Sequence, residues 1–191
     1  MVEANLKIIE ALKNFLDKFS EDKELRKLVT DKESDFSRNR KLPFKRLVGM
    51  IINMPKRSLS IELQEFFDHI EKGSNGCTKG AFCSQRSKLN PLFFQMWNQC
   101  LVDNFYYHYE DKVKRWCGFR VQAVDGSTVY LPNKPEIIKH FGTHDNQHAS
   151  VPMARMMQIQ DVLNDITVWG DIFPIADGEQ SIMADQVERL S

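Results

Sequence analysis

The sequence predicts an α+β chain: an all-helical first part, over residues 1–112, and a second part, 113–191, that begins a sheet and closes on a helix. Three observations point there. Over roughly the first hundred residues, apolar side chains recur at spacings of three and four. After Gly118 the period shortens, in runs rich in Val, Thr and Tyr. Residues 178–190 then return to helical spacing. A chain of 191 residues with 42% hydrophobic content can bury the core of one domain or of two small ones.

In chain order, Ile9, Leu12, Leu16 and Phe19 form the first apolar stripe. Leu47, Met50, Ile51 and Met54 form a second, which stops where Pro55 removes a ladder donor. Ser60 is placed to cap a helix whose Leu63, Phe66, Phe67 and Ile70 face inward, and Gly73-Ser74-Asn75-Gly76 breaks it. Thr78 starts the next helix, with Ala81, Phe82 and Leu89 inward and Lys79, Gln85, Arg86 and Lys88 outward. Residues 60–90 are thus a candidate helix-turn-helix, with the residue types that contact phosphates and base edges. The other reading is a plain helical hairpin with a solvated face. Asn90-Pro91 opens a further helix carrying Phe93, Met96, Trp97, Cys100 and Leu101.

Strands are expected over residues 119–131, 153–160 and 166–173, the last two joined by a tight turn at Asn164-Asp165. In the closing helix Ile182, Met183, Val187 and Leu190 are available for packing. This is the beginning of an α/β sheet rather than a finished one.

The formal net charge is zero, but its distribution is uneven. Between residues 32 and 57, the bases Lys32, Arg38, Arg40, Lys41, Lys45, Arg46, Lys56 and Arg57 face only Glu33 and Asp35, whereas beyond Gly118 acids outnumber bases. Cys77, Cys83, Cys100 and Cys117 follow no zinc or disulfide spacing and read as reduced, buried small hydrophobes of a cytoplasmic protein, with no secretory leader ahead of them. No apolar run approaches the length of a membrane span, so no membrane partner is expected.

Asp125 stands out, in Ala123-Val124-Asp125-Gly126-Ser127-Thr128, because a carboxylate within an apolar strand is costly unless it is paired or holds a metal. The competing reading is a hairpin turn, for which Asp-Gly between apolar runs is a strong signal. The run from Ala123 through Val129-Tyr130-Leu131-Pro132, then Phe141-Gly142-Thr143, Asp161-Val162-Leu163-Asn164-Asp165 and Gly178-Glu179, resembles the insertion-sequence-four family of bacterial transposases. The segment Thr78-Lys79-Gly80-Ala81-Phe82-Cys83-Ser84-Gln85-Arg86-Ser87-Lys88-Leu89 is similar to that family's helical region, so the likeness spans most of the chain from about Leu59 onward.

The resemblance implies an RNase H-like catalytic core of the Asp-Asp-Glu class, of which residues 113–191 would be the first strands and helix. It makes Asp125 the first catalytic acid and metal ligand. The family's second aspartate and its glutamate lie in blocks that do not occur before Ser191, which implies an N-terminal portion that is inert alone. Asp161, Asp165, Asp171, Asp177 and Glu179 match strand-joining and helix-start positions instead. The implied chemistry is phosphodiester cleavage and strand transfer with two Mg²⁺ ions, for which Mn²⁺ substitutes. The implied partners are double-stranded DNA, as transposon terminal repeats and target, and a second copy of the chain assembled on it. The location implied is the bacterial cytoplasm, at the nucleoid. DNA contacts are expected from Lys79, Gln85, Arg86 and Lys88 and from Arg40, Lys41, Lys45 and Arg46.

His140, His144 and His148 recur every four residues, yet Gly142, Asp145 and Asn146 make that stretch a loop rather than a metal-binding helix face. Cys83 and Ser84 have no base beside them in sequence and read as ordinary helix positions. Beside the transposase reading stand a catalytically inactive, truncated DNA-binding module and a helical interaction protein that binds no DNA.

Overall fold

The computed structural model describes residues 2–38, 41–54, 57–70, 76–145 and 149–187, with Val187 by its backbone only. It divides into two compact units, residues 1–104 and 105–191.

The first unit is helical: α1 (Val2–Glu21), α2 (Lys23–Lys27), α3 (Phe44–Ile52), α4 (Leu59–Ile70), α5 (Lys79–Arg86) and most of α6 (Leu92–His108). Asp22 caps α2 by accepting from the Glu24 and Leu25 amides. The Thr78 hydroxyl caps α5 by accepting from the Ala81 amide at 3.2 Å. Ahead of α6, Asn90 accepts from the Leu92 amide at 2.9 Å. The Ser60 cap is not found: α4 begins at Leu59, the Ser58 carbonyl takes the first amides, and Ser60 lies inside the first turn.

Phe93 sits at the centre of the core, fully buried, with the rings of Phe15, Phe19, Phe44 and Phe94 at 5.2–5.9 Å and Trp97 stacked at 6.2 Å. Leu47, Val48, Met50, Leu63, Phe67 and Phe82 fill the rest. In the α1 stripe Phe19 is buried and Leu16 packs against the core as expected, but Ile8 is buried in place of Ile9, which is 60% exposed. Ile70, also expected inward, is exposed at the end of α4. Pro55 and residues 73–75, where breaks were expected, lie outside the described residues.

The second unit carries one antiparallel sheet. After a 3-10 turn, Glu110–Lys112, come β1 (Gln122–Tyr130), α7 (Pro135–Phe141), β2 (Thr143–Asp145), β3 (Ser150–Asp161), β4 (Ile166–Pro174) and α8 (Glu179–Val187). β3 is the centre: β1 pairs along one side of it from Gln122↔Asp161 to Tyr130↔Met153, and β4 also pairs with it. β2 pairs with Ser150–Pro152 at the start of β3. The β3–β4 connection turns over residues 162–165, and Asp165 takes the left-handed backbone conformation (φ 53°) that such a turn requires. Met153, Ala154, Met157, Ile159, Ile166 and Ile182 are buried.

Two expectations are corrected. His140 lies in α7 and His144 in β2, since Gly142 (φ 81°) ends a short helix instead of opening a loop; His148 is outside the described residues. The cysteines are free thiols, but none is fully buried: Cys77 and Cys100 are half-buried, Cys83 and Cys117 exposed. Leu190, expected to pack in the last helix, also falls outside the described residues. No helix among the described residues is long and apolar enough to cross a membrane.

Candidate functional site

Asp125 lies within β1 opposite Gln158, in a register that runs unbroken through Gly126↔Met157 and Ser127↔Met156. The Asp-Gly pair is therefore strand and not turn. Side chains alternate along a strand, and directly paired residues share a face. Asp125 thus shares one face with Ser127, Gln158 and Met156, and that face is open: Asp125 is exposed and Met156 is 42% exposed. The opposite face, with Met157 and Ile159 buried, is the one over which Glu179, at the start of α8, lies.

Gly126 has a specific reason to be glycine. A Cβ there would stand 2.7 Å from Glu179 Oε1 and 2.9 Å from the Met157 sulfur. The Glu179 carboxylate thus rests directly over the β1 backbone, where it accepts from Arg155 Nη1 at 2.6 Å. This brings the Asp125-Gly126 and Gly178-Glu179 blocks together, but on opposite faces of β1. Glu179 is held by Arg155 and does not join Asp125.

At the other end of the sheet, Asp161 is fully buried. It accepts from the Tyr106 hydroxyl at 2.7 Å, from Asn164 Nδ2 at 2.8 Å, and from the Leu163 and Asn164 amides at 3.2 Å. Burial pushes its pKa up, but the hydrogen bonds from Tyr106 and Asn164 outweigh burial and hold the carboxyl below its ordinary value. Burial, then the bond to Asp161, push the Tyr106 phenol up to about 12. Asn164 in turn grips the Lys114 backbone twice, accepting from its amide at 2.8 Å and donating to its carbonyl at 3.1 Å. Asp165 accepts from Gln160 Nε2 at 2.8 Å. Sequence reasoning placed both acids at the strand connection but missed Tyr106 and Lys114, which are distant in sequence.

In the helical unit the expected DNA-contacting residues separate into two sets. Lys79 and Arg86 are exposed on α5, Arg86 lying 5.8 Å over the Phe82 ring. Gln85 is buried, and it accepts from Lys88 Nζ at 3.0 Å; Lys88 is half-buried, 3.8 Å from the Asp35 carboxylate. These two corrections share a cause. The inward positions of this segment are Phe82, Gln85 and Leu89, while Ala81, expected inward, is exposed. Lys45 pairs with Asp17 across to α1, Lys41 donates to the Gly76 carbonyl at 3.4 Å, and Arg46 reaches the Lys41 carbonyl at 3.5 Å. Arg40 lies outside the described residues.

None of the family models, curated proteins or solved structures compared with this chain matches it.

The donors around Asp125 do not fit a two-ion Mg²⁺ centre. Its face offers one carboxylate, a hydroxyl from Ser127 and an amide from Gln158, whereas two close divalent ions need several carboxylates to offset their repulsion. Among the described residues no group of three or more His, Cys, Asp or Glu side chains converges.

Proposed function

We propose that this chain is the DNA-binding and first catalytic-strand portion of an insertion-sequence-four-like DNA transposase. In the complete enzyme Asp125 would be the first acid of a Mg²⁺-dependent phosphodiester-cleaving and strand-transferring site. The observation that carries the reading is the position of Asp125: mid-strand, in unbroken register, on the open face of β1. The hairpin reading required the same residue to turn the chain. The order β1, β3, β4 and then a helix supports the comparison with the start of an RNase H-like sheet, as does β1 pairing along one side only among the described residues.

One carboxylate does not hold the ions, so these 191 residues bind DNA without cutting it. α5 makes the contact through Lys79 and Arg86, which point outward, while Gln85 and Lys88 serve the fold. Binding of duplex DNA should weaken steeply with salt, by a slope of about −0.9 per neutralised phosphate. Selection from a pool of randomised duplexes should enrich a defined sequence. Lys79→Ala with Arg86→Ala should lower affinity and flatten the salt slope by roughly two, one for each lost phosphate contact. A folded double variant with unchanged affinity and slope would remove α5 from the interface, and a wild-type chain that retains no duplex at low salt would remove DNA altogether.

A further inference from the structure

Residues 112–120 contain Lys112, Lys114, Arg115 and Arg120 and no acid. Within them Trp116 and Phe119 exchange both backbone hydrogen bonds, each 2.9 Å, around a two-residue turn. Cys117 (φ 48°) and Gly118 (φ 86°) both take positive φ, as a type I′ turn demands. Asn-Gly is the usual pair there, so a cysteine holds this turn against a local steric penalty. Directly opposed residues of an antiparallel pair project to the same side, and a hydrogen-bonded pair has its Cα atoms about 5.5 Å apart. Two large aromatic side chains thus project to the same side of the tip, and both are bare: Trp116 is 67% exposed and Phe119 71%. Such side chains normally bury their area.

The tip is exposed but it is not loosely hung. Its base is fixed by the two hydrogen bonds between the Asn164 side chain and the Lys114 backbone, and Asn164 is fixed by buried Asp161. The following arm is fixed by Arg120, whose guanidinium lies 4.5 Å over the Tyr106 ring, and by the Val162 amide donating to the Val121 carbonyl at 3.1 Å. Tyr106 itself donates to Asp161. The buried acid therefore anchors the hairpin to the end of the sheet from which β1 leads, three residues into the strand, to Asp125. Among the described residues no acid pairs with Lys114 or Arg115.

We propose that this hairpin is a stacking platform for unpaired nucleobases, with Trp116 and Phe119 offering ring faces and Lys114 and Arg115 meeting the adjoining phosphates. Aromatic faces interleaved with cations are the chemistry that single-stranded nucleic acid recognises, because every base has a π-face and every step a phosphate. A two-residue tip is too narrow to supply the roughly 800 Å² per partner of a standard protein interface. The inference rests on the DNA-binding reading above and adds to it the state of the DNA: melted or frayed strands beside the sheet that bears Asp125.

The test compares the whole 191-residue chain with Trp116→Ala, Phe119→Ala and Trp116→Phe on three probes: a blunt duplex, the same duplex with an oligothymidine tail, and the oligothymidine strand alone. Unchanged circular dichroism and melting establish that each variant is folded. The wild type should bind the tailed and single-stranded probes more tightly than the blunt one. Each alanine variant should lose about five- to 150-fold on those two probes, since a stacked base contributes about 1–3 kcal/mol and 1.4 kcal/mol is tenfold. Binding to the blunt duplex should stay within about twofold, and Trp116→Phe should recover most of the loss. Alanine variants that bind all three probes like the wild type overturn the platform and leave duplex binding standing. A wild type that binds none overturns both readings. If Trp116→Ala instead shifts sedimentation from dimer to monomer with oligothymidine affinity unchanged, the tip is a contact between copies of the chain and the proposal fails.

Discussion

The helical unit and the sheet unit spend their aromatic side chains in opposite ways. In residues 1–104 the rings converge, and Phe93 touches five other aromatic residues without reaching solvent. In residues 105–191 the core is mostly aliphatic and sulfur-bearing, while Tyr107, Trp116, Phe119 and Tyr130 are each at least 67% exposed. Both units bury polar side chains, Arg26, Asp35, Glu62 and Gln85 in the first and Asp161 and Gln186 in the second. The sheet unit is fixed by a buried carboxylate with four donors, and its open face keeps Asp125 in water. One unit thus gathers its rings inside, and the other carries exposed rings and fixes a strand end on a hydrogen-bonded buried carboxylate.

That contrast is tested first where packing dominates. Phe93→Ala should destabilise the helical unit by about 3–5 kcal/mol, the range for emptying a buried aromatic site. Total stabilities are only about 5–15 kcal/mol, so urea unfolding followed by tryptophan emission should show an early transition. Trp97, stacked on Phe93, reports it. A loss below about 1 kcal/mol would mean that the rings close over the gap and that no single residue centres this core.

A smaller effect is expected from the hydrogen-bonded anchor. Asp161→Asn turns an acceptor-only group into one with donors and should lose about 1.5–3 kcal/mol, as for hydrogen bonds to a charged group. The pH dependence follows from the shifts. The folded carboxyl sits below its unfolded value of about 3.9, so its contribution is present above that pH and disappears as the pH falls through the folded pKa. Tyr106 acts at the other limit. Its folded pKa of about 12 lies above the unfolded value of about 10, so its share is complete below pH 10 and is lost as the pH rises towards 12. Thermal melts between about pH 2 and 7 should show an acid-side fall that flattens in Asp161→Asn. An identical slope in the variant would show that other carboxylates control acid unfolding.

The contrast also explains which parts of the molecule were legible in the sequence. Helical periodicity located α1, α3, α4, α5 and α6, since burial repeats at 3.6 residues wherever a core lies on one side. The phase was harder to read. Ile8 and Ile9 are chemically equal, and only the position of the neighbouring helices decides which is buried. Gln85 misled for a related reason: a polar residue at an inward position is assigned outward unless its partners are known, and Lys88 is joined to it only by the turn of the helix. β1, β3 and β4 were legible from their composition and from Asn164-Asp165, whereas the short β2 lies in a stretch that read as a loop. Asp125 does lie within a strand, but it stands in water, so its carboxylate carries none of the burial cost for which it was singled out, and Asp-Gly carried two meanings. The glycine in fact answers the close approach of Glu179, a contact between residues far apart in sequence. The Trp116–Phe119 hairpin was missed because Cys-Gly is an uncommon pair for its turn, and Gly118 read only as the end of the helical region.

The most direct measurement is a single incubation of the purified chain with a duplex enriched from the randomised pool, in Mg²⁺ and separately in Mn²⁺, scoring retention and strand nicking in the same samples. The account predicts retention that falls with salt and no nicking in either metal, with Asp125→Asn indistinguishable from the wild type in both readouts. Nicking at a defined position that disappears in Asp125→Asn would contradict it, because the acids that complete the site would then have to come from within these 191 residues.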